Sequence, residues 1–246
     1  MQKLKIGATE NCRKMLVFRI LRNAKDKIQS ETNIMKNVTN SVIITGVLCT
    51  EPTFSHEVYG EKFFDSFVKV KRLSGMDDVL PVSVSEHLLK PFVQIGAEVT
   101  IVGQFRSYNK LEDGRSKLML TVFARDVLPS SEAESPNQVQ LCGYVCKPPI
   151  YRTTPFSREI CDLLIAVNRQ YGKSDYIPCI VWGNNARFAG NLPVGSRLNL
   201  VGRIQSREYQ KHLPDCSVIT KVAYEVSVSS ISVCTEDLSD SDTPAI

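Results

Sequence analysis

The sequence predicts an all-β protein built from two tandem five-stranded barrels, each with one short helix. Three observations favour this fold class. A pattern of glycine, proline and apolar residues recurs after about 97 residues. Within each copy, apolar and polar residues alternate with a period of two, which is typical of strands. One polar stretch in the second copy, Asn184–Leu192, breaks the alternation and predicts a short helix.

The repeat is visible by direct alignment of the two copies. NSVIITGVLCTEPTF (Asn40–Phe54) aligns with NQVQLCGYVCKPPIY (Asn137–Tyr151). IGAEVTIVGQFRSYNK (Ile95–Lys110) aligns with VGSRLNLVGRIQSREYQK (Val194–Lys211). The matches come in the same order and fall mostly on Gly, Pro and apolar positions, which indicates an internal duplication.

In chain order, the second copy predicts five strands: Val139–Cys146, Glu159–Arg169, Tyr176–Trp182, Arg197–Tyr209 and Thr220–Val233. The helix lies between the third and fourth strands and ends before Pro193 and Gly195. Gly202 lies where a barrel strand must bend, and a bulge is expected near it. Five strands with a helix between the third and fourth follow the plan of the Greek-key OB-fold barrel.

The chain divides on this basis into five segments: a basic extension (1–36), a first barrel (37–129), a linker (130–136), a second barrel (137–234) and an acidic tail (235–246). The second barrel and Thr235 carry eleven basic and six acidic residues, a net charge of +5. The eleven residues after Thr235 carry four acids and no base. A basic domain followed by an acidic tail favours a polyanionic partner.

The extension admits several interpretations. Nine basic and three acidic residues give it a net charge of +6, and Cys12–Ile28 has apolar residues at helical spacing. It fits an amphipathic helix, a targeting peptide, or sequence upstream of a true start at Met35. We favour the third interpretation, in which the extension is not native or is disordered.

Composition excludes several other classes. No run of about 18 apolar residues is present, so no membrane span is expected. The eight cysteines form no CxxC pair, which favours reduced thiols in a cytoplasmic protein without a metal or other cofactor. The three histidines are scattered and no nucleophile motif or phosphate loop appears, so we expect no enzyme.

Alternation along the strands assigns side chains to faces. The residues expected inside the second barrel are Ile177, Cys179, Val181, Leu198, Leu200 and Ile204. Those expected outside are Tyr176, Pro178, Ile180, Trp182, Asn199, Arg203, Gln205, Arg207 and Tyr209. Aromatic and basic side chains therefore cluster on the outer face, where such barrels bind oligonucleotides. Exposed rings stack on unpaired bases, and the cations between them neutralise phosphates, so the pattern favours single strands.

These residues carry a family likeness. NQVQLCGYVCKPP, IPCIVWGNNARFAGNLPVGSRLNLVGRIQSREY and the acidic carboxyl end resemble the bacterial single-stranded DNA-binding protein family, in a tandem OB-fold form. The resemblance covers Asn137–Val233 and, more weakly, Asn40–Leu128. It implies coating of single-stranded DNA without strong sequence preference during replication, recombination and repair, in the cytoplasm at the nucleoid. It also implies a homodimer, because two such chains present the four barrels common in the family.

The resemblance implies base stacking at four positions: Tyr171, Tyr176, Trp182 and Tyr209. The phosphate contacts expected in the same barrel are Arg169, Lys173, Arg203, Arg207 and Lys211. The first barrel has Val79 opposite Tyr176 and Ser85 opposite Trp182, so we expect a depleted aromatic set there. Its weaker contacts would be Lys69, Lys71, Arg72, Arg106, Tyr108 and Lys110, acting mainly through charge or serving oligomerisation instead.

The tail and the partner class leave further expectations. Family tails end in a Pro-Phe pair that docks replication and repair proteins, and here the corresponding residues are Asp240, Asp242, Pro244 and Ile246. Two alternative functions stay open. In the first, the chain is a primosome or replisome adaptor in which protein contacts dominate. In the second, it is an RNA-binding barrel that uses the 2′-hydroxyl.

Overall fold

The computed structural model describes residues 39–72, 74–89, 94–112, 114–129, 136–212 and 217–234. These residues fall in one compact unit, Thr39–Ile246. The basic extension, the linker before Pro136 and the tail residues Asp240, Asp242, Pro244 and Ile246 lie outside the described residues. Within the described ranges, no helix has both the length and the apolar character needed to cross a membrane.

Each copy of the repeat forms six strands and one short helix. The first contains β1 (Asn40–Leu48), β2 (Thr53–Val58), β3 (Glu61–Lys71), β4 (Asp77–Ser85), α1 (Glu86–Leu89), β5 (Glu98–Glu112) and β6 (Arg115–Pro129). The second contains β7 (Asn137–Val145), β8 (Ile150–Thr153), β9 (Glu159–Asn168), β10 (Ser174–Trp182), α2 (Asn184–Gly190), β11 (Arg197–His212) and β12 (Val218–Val233).

Five of the six strands in each copy pair in a ring. β1 pairs with β3, β3 with β4, β4 with β6 in parallel, β6 with β5, and β5 with β1. In the second copy β7, β9, β10, β12 and β11 repeat this order. The order is that of the OB-fold barrel, so the architecture is all-β with two tandem OB-fold barrels.

The sixth strand of each copy, β2 or β8, was not among the predicted strands. Each pairs with the next strand, β3 or β9, at one end of the sheet. All residues of β2 and β8 are exposed. A strand without a buried side lacks the alternation from which strands are predicted.

The barrel interior contains the residues that alternation placed there. Ile177, Cys179 and Val181 are at most 3% exposed, and the three inward residues of β11 at most 1%. Ile180 and Gln205 were expected outside but are buried. The Gln205 amide donates to Glu225 Oε1 (2.7 Å) and accepts from Arg203 Nη2 (3.1 Å), and these bonds hold the side chain between its two neighbours.

A bulge at Gly202 explains why the alternation of β11 survives. Val201 faces Ser230 and Gly202 faces Val228, so the extra residue, Ser229, is on β12. A Cβ at Gly202 would collide with the carbonyl oxygen of Ser227, which only glycine avoids. Because β11 itself has no extra residue, its side chains keep the predicted faces.

The two barrels are joined through equivalent positions of the repeat. β1 pairs antiparallel with β7, and Val42 faces Val139, its counterpart in the other copy. Asn40 faces Leu141 as Ile44 faces Asn137, so the register is symmetric about this point. Contacts that use the same surface on both sides are isologous, as in symmetric dimers. The chain thus forms a dimer-like pair of barrels within one twelve-stranded sheet.

A buried carboxylate at the start of β4 accepts hydrogen bonds from residues of both barrels. Asp78 accepts hydrogen bonds from Arg72 Nε (2.7 Å) and from the backbone N–H of Ser206 on β11 (2.7 Å). Arg72 Nη2 in turn donates to the carbonyl of Ser206 (3.0 Å). Burial alone would raise the pKa of Asp78, but the hydrogen bonds from Arg72 and Ser206 hold it below its usual value.

An equivalent cluster surrounds Asp175 at the start of β10 and also joins residues of the two barrels. Asp175 accepts from the backbone N–H of Ser107 on β5 (2.6 Å) and lies 2.9 Å from Arg169 Nε. Arg169 Nη2 donates to the carbonyl of Ser107 (3.1 Å). Here burial prevails over these contacts and raises the pKa of Asp175. The junction therefore repeats the twofold relation of the strands.

Replacing Asp78 with Asn should destabilise the chain at neutral pH. The substitution leaves Arg72 without a carboxylate partner, and breaking a buried pair in this way costs about 3–5 kcal/mol. Urea unfolding measures the loss. The control is Asp162→Asn, which removes an exposed pair with Arg152 and should cost less than about 1 kcal/mol. Equal losses in the two variants would contradict the role of Asp78.

The same variant should change the dependence of stability on acid. A carboxylate with a lowered folded pKa stabilises the protein above its unfolded pKa, about 3.9, and loses that contribution as pH falls through the folded value. The stability difference between the unaltered chain and Asp78→Asn should therefore narrow as pH falls from about 5 to about 2. Urea titrations across this range check it, and a constant difference would contradict the assignment.

Candidate nucleic-acid interface

The outer face of the second barrel presents two aromatic rings on one strand. Tyr176 and Trp182 lie on β10 and are 46% and 37% exposed, whereas Ile177 and Val181 between them are buried. The indole N–H of Trp182 donates to Ser227 Oγ on the neighbouring strand β12 (3.2 Å). This bond holds the ring on the outer surface rather than in the core.

Tyr171 and Tyr209 are not beside that pair. Tyr171 is at the tip of the 3₁₀ turn Gln170–Gly172 before β10, with a positive φ of 62° and 95% exposure. Tyr209 is on β11, separated from β10 by β12. It faces Lys221, about 20 Å along β12 from Ser227 at the usual rise per residue. The four predicted stacking residues therefore follow an extended path.

The predicted phosphate-binding cations of the second barrel fall into two groups. Lys173, Arg207 and Lys211 are exposed. Arg207 Nε is 3.7 Å from Glu225 Oε1, and its guanidinium is 6.0 Å from the ring centroid of Tyr209. Arg169 and Arg203 instead bind carboxylates at the barrel junction, where Arg203 Nη1 is 3.4 Å from Asp78 Oδ2.

The first barrel shows a similar division. Lys69 and Lys71 on β3 are exposed, and Lys69 Nζ is 3.9 Å from Asp77. Arg72 is a junction residue bound to Asp78. Tyr108 and Lys110 are exposed on β5, while Arg106 on the same strand is half-buried. The sequence could not identify Arg203 as a junction residue, because its carboxylate partner, Asp78, is on the other barrel.

A groove of about 680 Å³ opens on the first barrel. Its lining combines aromatic, cationic and hydroxyl side chains, and it contains one carboxylate. The residues are Phe54, Ser55, His56, Asp65, Ser83, Arg106, Ser107, Tyr108, Lys110, Thr121, Phe123 and Arg169. The last of these comes from the second barrel, so both copies contribute to the wall. A groove of this volume is in the range of small-molecule and cofactor sites.

Flat side chains form a row along this groove. The His56 and Phe63 rings stack with centroids 5.0 Å apart at 13°. Phe63 lies 5.7 Å from Phe123, and the Arg106 guanidinium covers Phe123 at 4.0 Å. This row was not predicted, because only the positions equivalent to the rings of the second barrel were compared. The signal available in the sequence was the group Phe63, Phe64 and Phe67 on β3.

The surroundings of Arg106 disfavour its positive charge. Burial, together with the charges of Arg169 and Arg125, lowers its pKa to about 10, although Asp175 opposes the change. Its Nη2 and Nε donate to the neutral side chain of Gln104 at 2.8 and 3.3 Å. The guanidinium stays charged at neutral pH, and a bound anion would stabilise it.

The described residues contain no group of three or more His, Cys, Asp or Glu side chains that could hold a metal ion. The site is thus made of exposed rings, exposed cations and one sunken groove. Such a surface can stack flat groups and neutralise negative charge along an extended path.

Comparison with known proteins points to one family. A family model described as "Single-strand binding protein family" matches residues 136–233. Single-stranded DNA-binding protein 2 of Listeria innocua is 34% identical over 96 residues, covering 36% of this chain and 60% of that protein. Single-stranded DNA-binding protein 1 of Staphylococcus aureus is 37% identical over 81 residues, covering 30% and 48%. The chain therefore matches about half of the length of these relatives.

A solved structure resembles the fold over a longer stretch. The crystal structure of the wild-type single-stranded DNA binding protein from Thermus aquaticus superposes with a TM-score of 0.66 at 19% identity. It covers 82% of this chain and 96% of that chain, so the likeness extends beyond the second barrel. The family match and the sequence relatives confirm the resemblance to the single-strand binding protein family over residues 136–233, and the superposition shows the fold.

Proposed function

We propose that this chain binds and coats single-stranded DNA without strong sequence preference and catalyses no reaction. The observation that carries the proposal is the exposure of Tyr176 and Trp182 on one strand of a barrel that matches the model of the single-strand binding protein family. Every base has a face that can stack on such rings, so the contact tolerates sequence. Paired bases hide those faces, so the surface prefers single strands.

In the proposed mode, bases stack on Tyr171, Tyr176, Trp182 and Tyr209, while phosphates contact the exposed cations of the same surface. The cations that the structure favours for this role are Lys173, Arg207 and Lys211. Arg203 is 39% exposed in its side chain and reaches the same face, but it also binds Asp78. We assign Arg72 and Arg169 to the junction between barrels.

We further propose that residues 37–129 and 137–234 act as two domains joined by the linker, and that two chains associate into a homodimer with four barrels. The first barrel already covers β7 within the chain, so a dimer would use another surface. In this proposal the acidic tail recruits replication and repair proteins through Asp240, Asp242, Pro244 and Ile246. The protein would act at the nucleoid.

Two variants separate stacking from charge. Trp182→Ala should weaken oligo(dT) binding by about 1–3 kcal/mol and leave the salt dependence nearly unchanged. Arg207→Ala should instead lower the slope of log affinity against log salt by about 0.7, because one phosphate contact is lost. Anisotropy of a labelled oligo(dT), titrated at several salt concentrations, measures both quantities.

Matched controls lie on α2, at residues that are not assigned to DNA contact. Phe188→Ala removes an exposed ring, and Arg187→Ala removes an exposed guanidinium that binds Glu159. Both should bind like the unaltered chain. If Trp182→Ala and Arg207→Ala also bind unchanged, the assigned surface is wrong.

The single tryptophan gives a direct readout. Oligo(dT) should quench the emission of Trp182 and saturate at a fixed number of nucleotides per chain, because stacking brings a base against the indole. The quenching should weaken at high salt. Binding detected by anisotropy without any change in emission would show that the DNA follows another path.

The same titration distinguishes the two alternatives. An adaptor would bind short DNA weakly and would not saturate long strands. An RNA-binding barrel would prefer oligo(rU) over oligo(dT) of equal length, because the 2′-hydroxyl is the group that tells the two apart. Saturation of long oligo(dT) with no preference for ribose supports the proposed function.

A further inference from the structure

Each barrel has an aromatic ring on its outer face, but the ring is on a different strand in each copy. In the second barrel Trp182 is the last residue of β10, and Ser227 on β12 accepts its indole N–H. In the first barrel the residue equivalent to Trp182 is Ser85, 97 positions earlier in the sequence. Ser85 is buried and offers no stacking surface.

The residue equivalent to Ser227 is Phe123. On the long hairpins, Gln104 faces Phe123 beside the bulge of β5 and β6, and Arg203 faces Ser227 beside the bulge of β11 and β12. The parallel ladders between β4 and β6 and between β10 and β12 give the same equivalence. The ring and the serine have therefore exchanged strands between the two barrels.

A second flat group, the Arg106 guanidinium, lies against the Phe123 ring and enlarges the flat surface. This guanidinium lies over the ring at 4.0 Å, and the Arg125 guanidinium is 5.8 Å from the ring centre. Gln104 Oε1 accepts from both arginines, at 2.8 Å from Arg106 Nη2 and 3.3 Å from Arg125 Nη2. A guanidinium plane held in this way is a surface on which unpaired bases stack.

The charge around Phe123 favours an anion. Arg106 donates to a neutral amide, and Lys110 is exposed on the same strand. Arg169 completes the wall, although its charge is largely matched by Asp175. Among the described residues of the lining, Asp65 is the single carboxylate. The groove therefore combines a flat stacking surface with net positive charge, the two features that bind a nucleotide.

We propose that this groove is a second site for single-stranded DNA, in which a base stacks on the Arg106–Phe123 pair and a phosphate lies against Arg106 and Lys110. The inference rests on the function proposed above. It gives the first barrel a stacking role in place of contact through charge alone. Because Arg169 comes from the second barrel, the groove lies at the junction of the two barrels.

The test replaces each residue with its counterpart from the second barrel. Phe123→Ser installs the residue found at Ser227, and Arg106→Gln installs the one found at Gln205. In the full chain, each should weaken binding of a labelled oligo(dT) by about 5- to 150-fold, the range for losing one stacked base. Each should also reduce the number of nucleotides covered per chain at saturation. Met76→Ser, which changes an exposed apolar residue outside the groove, is the control.

A double variant makes the test specific for stacking. Ser85→Trp combined with Phe123→Ser rebuilds the second barrel's arrangement, with the ring on β4 and the serine on β6. Recovery of affinity relative to Phe123→Ser without a matching gain in the free energy of unfolding supports the site, because restored packing would raise both quantities. Urea unfolding shows whether Phe123→Ser folds; if it does not, Arg106→Gln provides the measurement.

The outcomes separate this inference from the proposed function. Suppose Phe123→Ser and Arg106→Gln bind and cover DNA like the unaltered chain, while Trp182→Ala binds more weakly. The groove is then not a binding site, and the function of the second barrel stands. Failure of the unaltered chain to bind oligo(dT) by anisotropy would overturn both.

Discussion

The antiparallel pairing of β1 with β7 is the contact on which the rest of the structure depends. It joins two rings of strands into one sheet and sets Val42 against Val139, the same position of the two copies. Once this register is fixed, the paired strands of one barrel have counterparts in the other that are related by an approximate twofold axis. The clusters around Asp78 and Asp175 follow from it, because each carboxylate meets a serine backbone of the other barrel.

This junction also decides which cations are available to a ligand. A guanidinium held by a buried carboxylate is costly to detach, because both charges would lose their partner in a poorly solvated place. Arg72 and Arg169 are held in this way. Arg207 instead lies 3.7 Å from a carboxylate oxygen of Glu225 and 6.0 Å from the centre of the Tyr209 ring, and it is mostly exposed. The same chemical group therefore stabilises the junction in one place and is open to phosphate in another.

Because the barrel is duplicated, the outer side chains of the two copies can differ while their strand pairing stays the same. The bulges at Gly103 and Gly202 are equivalent, and at each a carbonyl of the neighbouring strand occupies the space of a Cβ. Around this shared frame, the second barrel presents exposed rings and the first presents a groove with Phe123 beneath a guanidinium. We infer that one chain offers two kinds of stacking surface, an open one and a sunken one, to the same strand.

The duplication, the five ring strands of the second barrel and the faces of β10 and β11 could all be predicted from the sequence, because alternation and glycine positions are local properties. The sequence located Tyr176 and Trp182 on the outer surface for the same reason. It missed β2 and β8, which have no buried side, and the burial of Gln205, which depends on Glu225. Local patterns could not predict that Arg203 binds Asp78, because the two residues are 125 positions apart. They also could not show that Phe123 is equivalent to Ser227, because that follows from the pairing of the long hairpins.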